Sequence, residues 1–409
     1  MKRLAPAWGL ALMLSGIGAS AQDAQAPAAP GTAVERGRYL ANAGNCVSCH
    51  TRPGGQPLAG GVPFETPFGT VYSTNITQDR EAGIGLWTEA DLGRAMREGL
   101  SRDGSSLIPA FPYTSFTKVS DGDIADIYAY LRTVPAVRYA APDDGLLLRL
   151  RWGVTLWKKM FFSPGRYVAD PSKPQEWNRG AYLVRGLGHC DACHTPRDFS
   201  MAERNDAAYT GGAFQERRAD GKVGRWYAVN LTSGKHGLGS WSVADLDKYL
   251  RTGMSPRAGS FGPMNEVIVN SLKLLTPADV HAMAVYVKSL AGASYAGPGV
   301  PADLVAAGAG IYKERCEKCH GASGRGGFFA GPPLAGSAVV QGEDPASLID
   351  VILHGPTLAK GVSYGSWESM LEYADVLSDA EIAAVSNFVR GSWGNEAGPV
   401  KAADVRAAR

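Results

Sequence analysis

Apolar residues recur at helical spacing in three short segments of the chain that resemble one another. Each segment carries small residues, where a neighbouring helix would have to pass closely, and each runs directly into a motif that ends in histidine. The pattern predicts an amphipathic helix at each place and indicates an internal repeat of three units. The segments are Glu35-Arg36-Gly37-Arg38-Tyr39-Leu40, Asn178-Arg179-Gly180-Ala181-Tyr182-Leu183 and Gly308-Ala309-Gly310-Ile311-Tyr312.

Each unit also ends with a second predicted helix. A serine or threonine followed three residues later by an acid forms a capping box, which opens a helix. This signal precedes an apolar stretch in all three units, and the aromatic residues of that stretch should pack on the first helix of the same unit. The terminal helices are expected at 120–131, 276–290 and 378–389, with the aromatic residues Tyr128, Tyr130, Tyr286 and Phe388.

Three copies of a Cys-x-x-Cys-His motif follow the first helices of the units. One helical turn puts the two thiols on the same face, where they can add to the vinyl groups of a haem, and the adjacent histidine then faces the iron. The chain has six cysteines and all lie in these motifs, so we expect three covalently bound haem c groups. The attachment residues are Cys46, Cys49, Cys190, Cys193, Cys316 and Cys319, and the iron ligands are His50, His194 and His320.

Zinc binding and dithiol chemistry explain these cysteines less well. A structural zinc needs four ligands, and a second cysteine or histidine pair normally lies in the same domain. Here each pair stands more than a hundred residues from the next. A thioredoxin-like pair follows a strand and does not require a histidine after it.

The first two units share signals that the third lacks. Each has an Asn-x-Thr triplet, at 75–77 and 230–232, and each has a Gly-x-Gly-x-Trp run followed by a predicted helix, at 89–98 and 243–251. The third unit has the proline-containing stretch 331–336 instead. Units 1 and 2 are therefore interpreted as duplicates. The triplets match a glycosylation signal, but we interpret them as loops whose polar groups satisfy the backbone or a haem propionate.

Methionine is the usual sixth ligand of iron in electron-transfer cytochromes c. Met264 lies 70 residues after His194 and just before the terminal helix, and Met370 lies 50 residues after His320. Both positions predict iron ligation. We expect three other methionines to pack in the core, since this is the commoner role of that side chain. These are Met96, Met254 and Met283.

The other histidines have no sequence partner that would make them ligands. His189 precedes Cys190 directly, and we expect it to bind the backbone or a haem propionate. Surface or core roles are expected for His236, His281 and His354.

The N-terminal region has the form of a secretory signal peptide. Lys2 and Arg3 precede an apolar run to Gly18, and Ala19-Ser20-Ala21 forms a cleavage site. The run is short for a membrane span, so we expect cleavage and a mature chain that starts at Gln22. Export agrees with covalent haem attachment, which takes place outside the cytoplasm. The net charge of +2 gives no signal for nucleic-acid binding.

Residues 146–162 form an amphipathic segment between the first two units. Leucine, valine, tryptophan and phenylalanine recur there at helical spacing, with four cations and no acid. This composition is typical of a helix at a membrane surface. A helix that docks two domains together, or that docks a partner, is the alternative. The apolar positions are Leu147, Leu150, Val154, Trp157 and Phe161, and the cations are Arg149, Arg151, Lys158 and Lys159.

Stretches around the motifs resemble one known family. The chain is similar to the triheme cytochrome c subunits of membrane-bound periplasmic dehydrogenases, whose best-known members serve alcohol, gluconate, sorbitol and fructose dehydrogenases. Related cytochromes serve molybdenum hydroxylases. The resemblance covers residues 34–405 and rests on 72–77, 109–113, 178–183, 188–197, 262–264 and 390–395.

The resemblance implies an all-α fold of three tandem class-I-like cytochrome c domains joined by linkers rich in Pro, Ala and Gly. Units 1, 2 and 3 are the repeats within these domains. The expected division is a signal peptide at 1–21, domain 1 at 34–140, a linker with the amphipathic segment at 141–176, domain 2 at 177–292 and domain 3 at 303–395.

The resemblance also implies electron transfer. In the family a catalytic subunit, which is a GMC flavoprotein, a PQQ enzyme or a molybdopterin enzyme, oxidises the substrate. The cytochrome then passes the electrons to ubiquinone or a terminal oxidase, as a peripheral protein on the periplasmic side of the bacterial inner membrane. The sequence has no catalytic constellation of its own. A haem-catalysed enzyme and a free periplasmic electron shuttle are the alternatives.

Unit 1 departs from the family in the loop that should carry its sixth ligand. Phe111 stands where the alcohol dehydrogenase members usually have methionine, and phenylalanine cannot bind iron. Met96 lies earlier in the chain than a sixth ligand should. A phenylalanine in this loop is a resemblance to the molybdenum-hydroxylase branch of the family. The cytochrome component of a molybdenum hydroxylase is therefore kept as an alternative.

Overall fold

The computed structural model describes residues 31–149, 151–217, 221–293, 297–327, 330–356 and 367–409. The predicted signal peptide at 1–21 and Leu150 lie outside these ranges. The described chain is built mainly of helices, with two short antiparallel hairpins.

Unit 1 begins and ends with helices that cross each other. Its elements are α1 (Ala33–Ala43), α2 (Cys46–His50), β1 (Pro63–Thr66), β2 (Gly69–Tyr72), α3 (Glu89–Glu98), α4 (Tyr113–Phe116) and α5 (Asp121–Leu131). The segment that follows contains a 3-10 turn (Leu146–Arg149) and α6 (Arg151–Phe161).

Unit 2 repeats this order, and unit 3 keeps its helices. Unit 2 comprises α7 (Gln175–Arg185), α8 (Asp191–His194), β3 (Gly212–Arg217), β4 (Val223–Ala228), α9 (Val243–Thr252), α10 (Pro263–Asn270) and α11 (Pro277–Lys288). Unit 3 comprises α12 (Ala302–Arg315), α13 (Glu317–His320), α14 (Ala346–His354), α15 (Asp379–Gly391) and α16 (Ala402–Ala408).

A glycine lets the first and last helices of each unit touch. A Cβ on Gly37 would lie 1.8 Å from the carbonyl oxygen of Asp126, one on Gly180 would lie 1.9 Å from that of Ala282, and Gly308 meets α15 in the same way. No side chain fits at such distances. The small residues predicted at these places are therefore confirmed as helix-crossing points, and the predicted terminal helices form, each opened by a serine or threonine cap.

The hairpins correct the prediction of an all-α fold. Strands β1 and β2 pair from Pro63 with Tyr72 to Thr66 with Gly69, and β3 and β4 pair from Gly212 with Ala228. Each strand has four to six residues. Such short strands depend for their stability on pairing with a neighbouring strand and on packing against other elements, so the local sequence pattern alone did not reveal them.

Units 1 and 2 share one apolar core, whereas unit 3 has its own among the described residues. The interface of the first two units is reciprocal. Tyr39 of unit 1 donates to Asp279 of unit 2 at 2.5 Å, and Tyr182 of unit 2 donates to Asp123 of unit 1 at 2.5 Å. The two tyrosines occupy equivalent positions of the repeat, so units 1 and 2 pack as a pseudo-symmetric pair.

Unit 3 contacts unit 2 through α14 and the β3–β4 hairpin. The amide of Tyr227 donates to the hydroxyl of Ser347 at 2.9 Å, and Arg225 pairs with Asp344. Lys235 binds Glu396 at 2.5 Å. Unit 2 therefore lies between units 1 and 3.

Helix α6 forms within the predicted segment. Two residues of its predicted apolar face point inward, which is the docking alternative, and a second apolar stripe lies on the outer side. Trp157 points inward and donates its indole N–H to the carbonyl oxygen of Ser200, while Val154 packs against a small cluster of unit 1. The outward face presents Trp152, Leu156 and Met160, with exposed fractions of 70, 50 and 59%. The inner face thus joins units 1 and 2, and a second apolar stripe faces solvent. In the described residues no helix is long and apolar enough to cross a bilayer.

Candidate haem-binding sites

Each Cys-x-x-Cys-His motif folds as a single short helical turn. The turns are α2, α8 and α13, and each follows the first helix of its unit. In units 1 and 2 the residue before the first cysteine has a positive φ, 49° at Asn45 and 35° at His189. This left-handed residue lets the chain reverse between the long helix and the motif turn. The six cysteines form no disulfide in the described chain.

The motif histidines are oriented by backbone carbonyl groups. The Nδ1 atom of His50 lies 2.6 Å from the carbonyl oxygen of Thr74, and that of His194 lies 2.7 Å from the oxygen of Val229. His320 contacts Pro332 in the same way at 2.9 Å. Because a carbonyl oxygen can only accept, the proton sits on Nδ1. The lone pair of Nε2 is then available to a metal, which is the arrangement of an iron-ligating histidine.

Burial favours the neutral form of these histidines and of the Cys46 and Cys190 thiols. It lowers the pKa of His50, His194 and His320, and the hydrogen bonds to the carbonyl groups oppose this shift only in part. Burial also raises the pKa of the Cys46 and Cys190 thiols to about 11 and about 12. A catalytic dithiol has a lowered pKa, so this environment disfavours thioredoxin-like chemistry.

The three carbonyl acceptors were missed at the sequence level. In units 1 and 2 they belong to Thr74 and Val229, the residues directly before the Asn-x-Thr triplets. The triplet shared by units 1 and 2 was a signal that could have indicated them, because a loop repeated at the same place in two units can make the same histidine contact in both. In unit 3 the acceptor lies in the proline-containing stretch that replaces the triplet.

The Asn-x-Thr triplets serve the backbone, which was one of the two predicted roles. The side-chain Oδ1 of Asn75 accepts hydrogen bonds from the backbone amide and the hydroxyl of Thr77. The side-chain NH2 group of Asn75 donates to the backbone carbonyl groups of Val137 and Tyr139. Asn230 makes the equivalent contacts in unit 2. Asn75 is 3% exposed, so it cannot carry a glycan. Each triplet ties the chain segment after its unit to the histidine-binding loop.

The predicted sixth-ligand methionines lie at the edges of the two cores. Met264 is in the first turn of α10, two residues after Gly262 with its φ of 56°, and packs against the core that units 1 and 2 share. Met370 packs against the core of unit 3. Both side chains are half-buried. Iron ligation by either one stays a prediction.

The loop of unit 1 holds an aromatic side chain at the matching position. Phe111 is half-buried and its ring meets Phe116 edge to face at 5.4 Å. Met96 is buried in α3, and Met283 is buried in α11, as expected for core residues. Met254 differs from its prediction. It lies half-buried in the turn after α9, because Gly253 with its positive φ ends that helix.

The remaining histidines occupy varied surroundings. His189 binds the carbonyl oxygen of Leu187 at 2.7 Å, so its predicted backbone role is confirmed. His236 is 4% exposed at the boundary between units 2 and 3, with its Nε2 atom 3.8 Å from Glu396. His281 is partly exposed near Glu176. Among the described residues, no three histidine, cysteine or acidic side chains come together as a metal-binding group.

Two buried donors point to a ligand that brings acceptors. The Tyr113 hydroxyl and the Trp226 indole N–H are buried without a hydrogen-bond partner, and burial raises the pKa of Tyr113. Trp226 lies against the Met264 loop, since a Cβ on Gly262 would come within 2.5 Å of its ring. Unsatisfied buried donors are costly. The carboxylates of a haem are suitable partners, so the residues present fit this group.

Comparison with known protein families agrees with the motifs. Residues 34–135 match the family described as Cytochrome c. Residues 303–389 match the family described as Cytochrome C oxidase, cbb3-type, subunit III.

Curated relatives match almost the whole chain. The cytochrome c subunit of alcohol dehydrogenase (quinone) from Gluconacetobacter polyoxogenes is 40% identical, over 93% of this chain and 85% of the relative. The gluconate 2-dehydrogenase cytochrome c subunit from Pantoea cypripedii is also 40% identical, over 92% of this chain and 89% of the relative. A nicotinate dehydrogenase component from Pseudomonas putida is 41% identical over 87% of this chain, which spans 30% of that protein. The chain therefore belongs to the family of cytochrome c subunits of dehydrogenase complexes.

Proposed function

We propose that this protein carries three covalent haem c groups and passes electrons from the catalytic subunit of a periplasmic dehydrogenase to ubiquinone or a terminal oxidase. The observation that carries the proposal is the geometry repeated at the three motifs. At each one a helical turn presents two cysteines, and the adjacent histidine is bound through Nδ1 to a carbonyl group.

The chain's own residues would hold each group and tune it. A bound haem supplies the one-electron couple. The cysteines would attach it covalently, and the carbonyl contacts would hold each motif histidine in the orientation that binds iron. Met264 and Met370 would be the second protein ligands of the iron in units 2 and 3. The buried Tyr113 hydroxyl and Trp226 indole N–H, which lack partners, would be available to donate to haem carboxylates. The surrounding apolar cores exclude water, which favours the reduced form of the iron.

We further propose three tandem cytochrome c domains, at 34–140, 177–292 and 303–395. The three helix crossings at Gly37, Gly180 and Gly308 support this division. The shared core of units 1 and 2 supports a closer association of the first two domains.

The partner is proposed to be a dehydrogenase that oxidises an alcohol, a sugar or an aldehyde, with a GMC flavoprotein, a PQQ enzyme or a molybdopterin enzyme as catalytic subunit. The names of the alcohol and gluconate dehydrogenase relatives support an alcohol or a sugar as the class of substrate. The second candidate is the cytochrome component of a molybdenum hydroxylase. Phe111 favours it, together with the similarity to a nicotinate dehydrogenase component.

The proposed location is the periplasmic side of the inner membrane, with the protein bound peripherally after removal of residues 1–21. The outward stripe of α6 supports this location. Trp152, Leu156 and Met160 lie there beside the exposed Lys159, and aromatic and apolar residues next to a cation suit an anionic lipid surface.

The proposal is tested by counting haems and by electron transfer. Intact mass and pyridine haemochrome of the mature protein should give three haems per chain. The Cys316→Ser, Cys319→Ser double variant should give two, with units 1 and 2 still loaded. A wild-type mass that corresponds to two haems would contradict the proposal. Reduction of all three haems by the partner dehydrogenase and its substrate, measured by absorbance, tests the electron-transfer role.

A further inference from the structure

A side chain from unit 1 contacts the second haem motif. Ser115 in α4 is fully buried and donates its hydroxyl to the carboxylate of Asp191 at 2.8 Å. Asp191 directly follows Cys190 and begins α8. In the same interface Phe116 meets the ring of His189 edge to face at 5.5 Å. The loop that follows Phe111 in unit 1 therefore packs against the haem-attachment turn of unit 2.

Other charged groups surround this carboxylate. The Lys118 amine of unit 1 donates to the carbonyl oxygen of Thr114 at 2.9 Å. Burial lowers the pKa of Lys118, and the negative charge of Asp191 acts in the opposite direction. In unit 2, Glu203 is bound to Arg197 at 3.1 Å. Unit 1 thus donates a hydrogen bond to this acid of unit 2 through Ser115, and the positive charge of Lys118 interacts with the acid without a direct contact.

The three motifs differ at this position. Unit 1 has Val47 after its first cysteine, and unit 3 has the half-buried Glu317. A negative charge near iron stabilises the oxidised form and lowers the reduction potential, and a hydrogen bond or cation close to the charge weakens that effect. Through its contact with Asp191, unit 1 can therefore alter the reduction potential of the haem in unit 2.

We propose that Asp191 lowers the reduction potential of haem 2 and that unit 1 limits this effect through Ser115 and Lys118. These three residues are positioning and tuning groups, since none of them ligates iron. The inference rests on the proposed function, because it requires a haem at the second motif.

The test is a spectroelectrochemical titration of the full-length, haem-loaded protein, which resolves the potentials of the separate haems. Asp191→Asn should raise one potential, because the charge is removed. Ser115→Ala should lower the same potential, because the carboxylate keeps its charge and loses its donor. Lys118→Met should also lower it, and this variant serves if Ser115→Ala does not fold.

Two variants serve as controls. Glu317→Gln removes the matching acid of unit 3 and should move a different component of the titration. Ser347→Ala removes a hydroxyl at the interface of units 2 and 3 and should leave the Asp191-dependent component unchanged. Opposite shifts of one component by Asp191→Asn and Ser115→Ala would not arise from a loosened interface alone.

The proposal is overturned if Asp191→Asn moves no potential. It is also overturned if Ser115→Ala and Lys118→Met leave the Asp191-dependent component in place or raise it. Haem content measured on the same samples separates this failure from a failure of the proposed function. A wild-type chain without haem at Cys190 and Cys193 would contradict the proposed function instead.

Discussion

Tyr182 of α7 and Asp123 of α5 join units 1 and 2 by a hydrogen bond of 2.5 Å between the phenol and the carboxylate. Tyr39 and Asp279 make the same contact in the opposite direction. The two contacts differ in the other groups that bind each carboxylate. Asp279 is also bound by the guanidinium of Arg179 at 2.6 Å, whereas the carboxylate of Asp123 depends mainly on its tyrosine.

This difference predicts unequal effects of removing the two hydroxyls. Tyr182→Phe should destabilise the protein by about 2 kcal/mol, because it leaves the half-buried Asp123 carboxylate without its main donor. Tyr39→Phe should cost about 1 kcal/mol, because Arg179 still binds Asp279. Chemical unfolding of the haem-loaded protein measures both.

Tyr128→Phe is the matched control for these variants. It removes a hydrogen bond to the carbonyl oxygen of Trp87 within unit 1. Its cost should be that of an ordinary neutral hydrogen bond, about 1 kcal/mol. An equal loss in Tyr182→Phe and Tyr39→Phe would contradict the proposed asymmetry.

The contributions of Asp123 and Asp279 to the stability of the protein should depend on pH in opposite directions. Burial raises the pKa of Asp123, so this group contributes stability below the ordinary pKa of about 4, and the contribution is lost as the pH rises through its folded-state pKa. Burial alone would raise the pKa of Asp279 as well, but the hydrogen bond and charge of Arg179 lower it. Its contribution is present above about pH 4 and is lost as the pH falls.

Unfolding free energies of Asp123→Asn and Asp279→Asn, measured below and above about pH 4, test this difference. Relative to wild type, Asp123→Asn should become more stable as the pH rises, because it avoids ionisation of a buried acid. Asp279→Asn should lose more stability at neutral pH than in acid. Parallel pH profiles of the two variants would show that the pairs behave alike.

The sequence predicted the parts of the sites that depend on local pattern. Caps and glycine spacing revealed the crossing helices, and the motif spacing revealed the turns that carry Cys46 or Cys190. The contact between Tyr182 and Asp123 was not predicted, because the sequence pattern assigned Asp123 only to the cap of its own helix and Tyr182 only to the first helix of unit 2. In helix α6 the sequence pattern placed Trp157 on the apolar face, but it did not show that this residue points inward or that Trp152 belongs to a second apolar stripe that faces solvent.

Phe111 predicts an open iron at haem 1. Phenylalanine has no donor atom, and its ring packs against Phe116. The reduced wild-type protein should therefore bind one carbon monoxide per chain, and haem 1 should have a lower potential than the methionine-ligated haems. Phe111→Met should add a His–Met-ligated haem and abolish carbon monoxide binding, as measured by absorbance and by resonance Raman spectroscopy.

Phe111→Leu is the control for that substitution, since it also removes the ring but introduces no sulfur. This variant should keep carbon monoxide binding. If the wild type already has three methionine-ligated haems and binds no carbon monoxide, another donor occupies the site of haem 1 and the prediction is wrong.

The outward stripe of α6 predicts binding to an anionic membrane. Trp152, Leu156 and Met160 lie one turn apart and face solvent, and insertion into the headgroup region would bury part of each side chain. Replacing all three with serine should remove roughly 3 kcal/mol of binding free energy, about a hundredfold in affinity for anionic vesicles. Vesicle flotation and cell fractionation measure the change. The control replaces three exposed apolar residues outside α6, Val168, Val223 and Leu304, and should leave binding unchanged. If the α6 variant floats as well as wild type, this stripe does not bind the membrane. If the variant binds vesicles only at low salt, the remaining attraction comes from the cations of the helix.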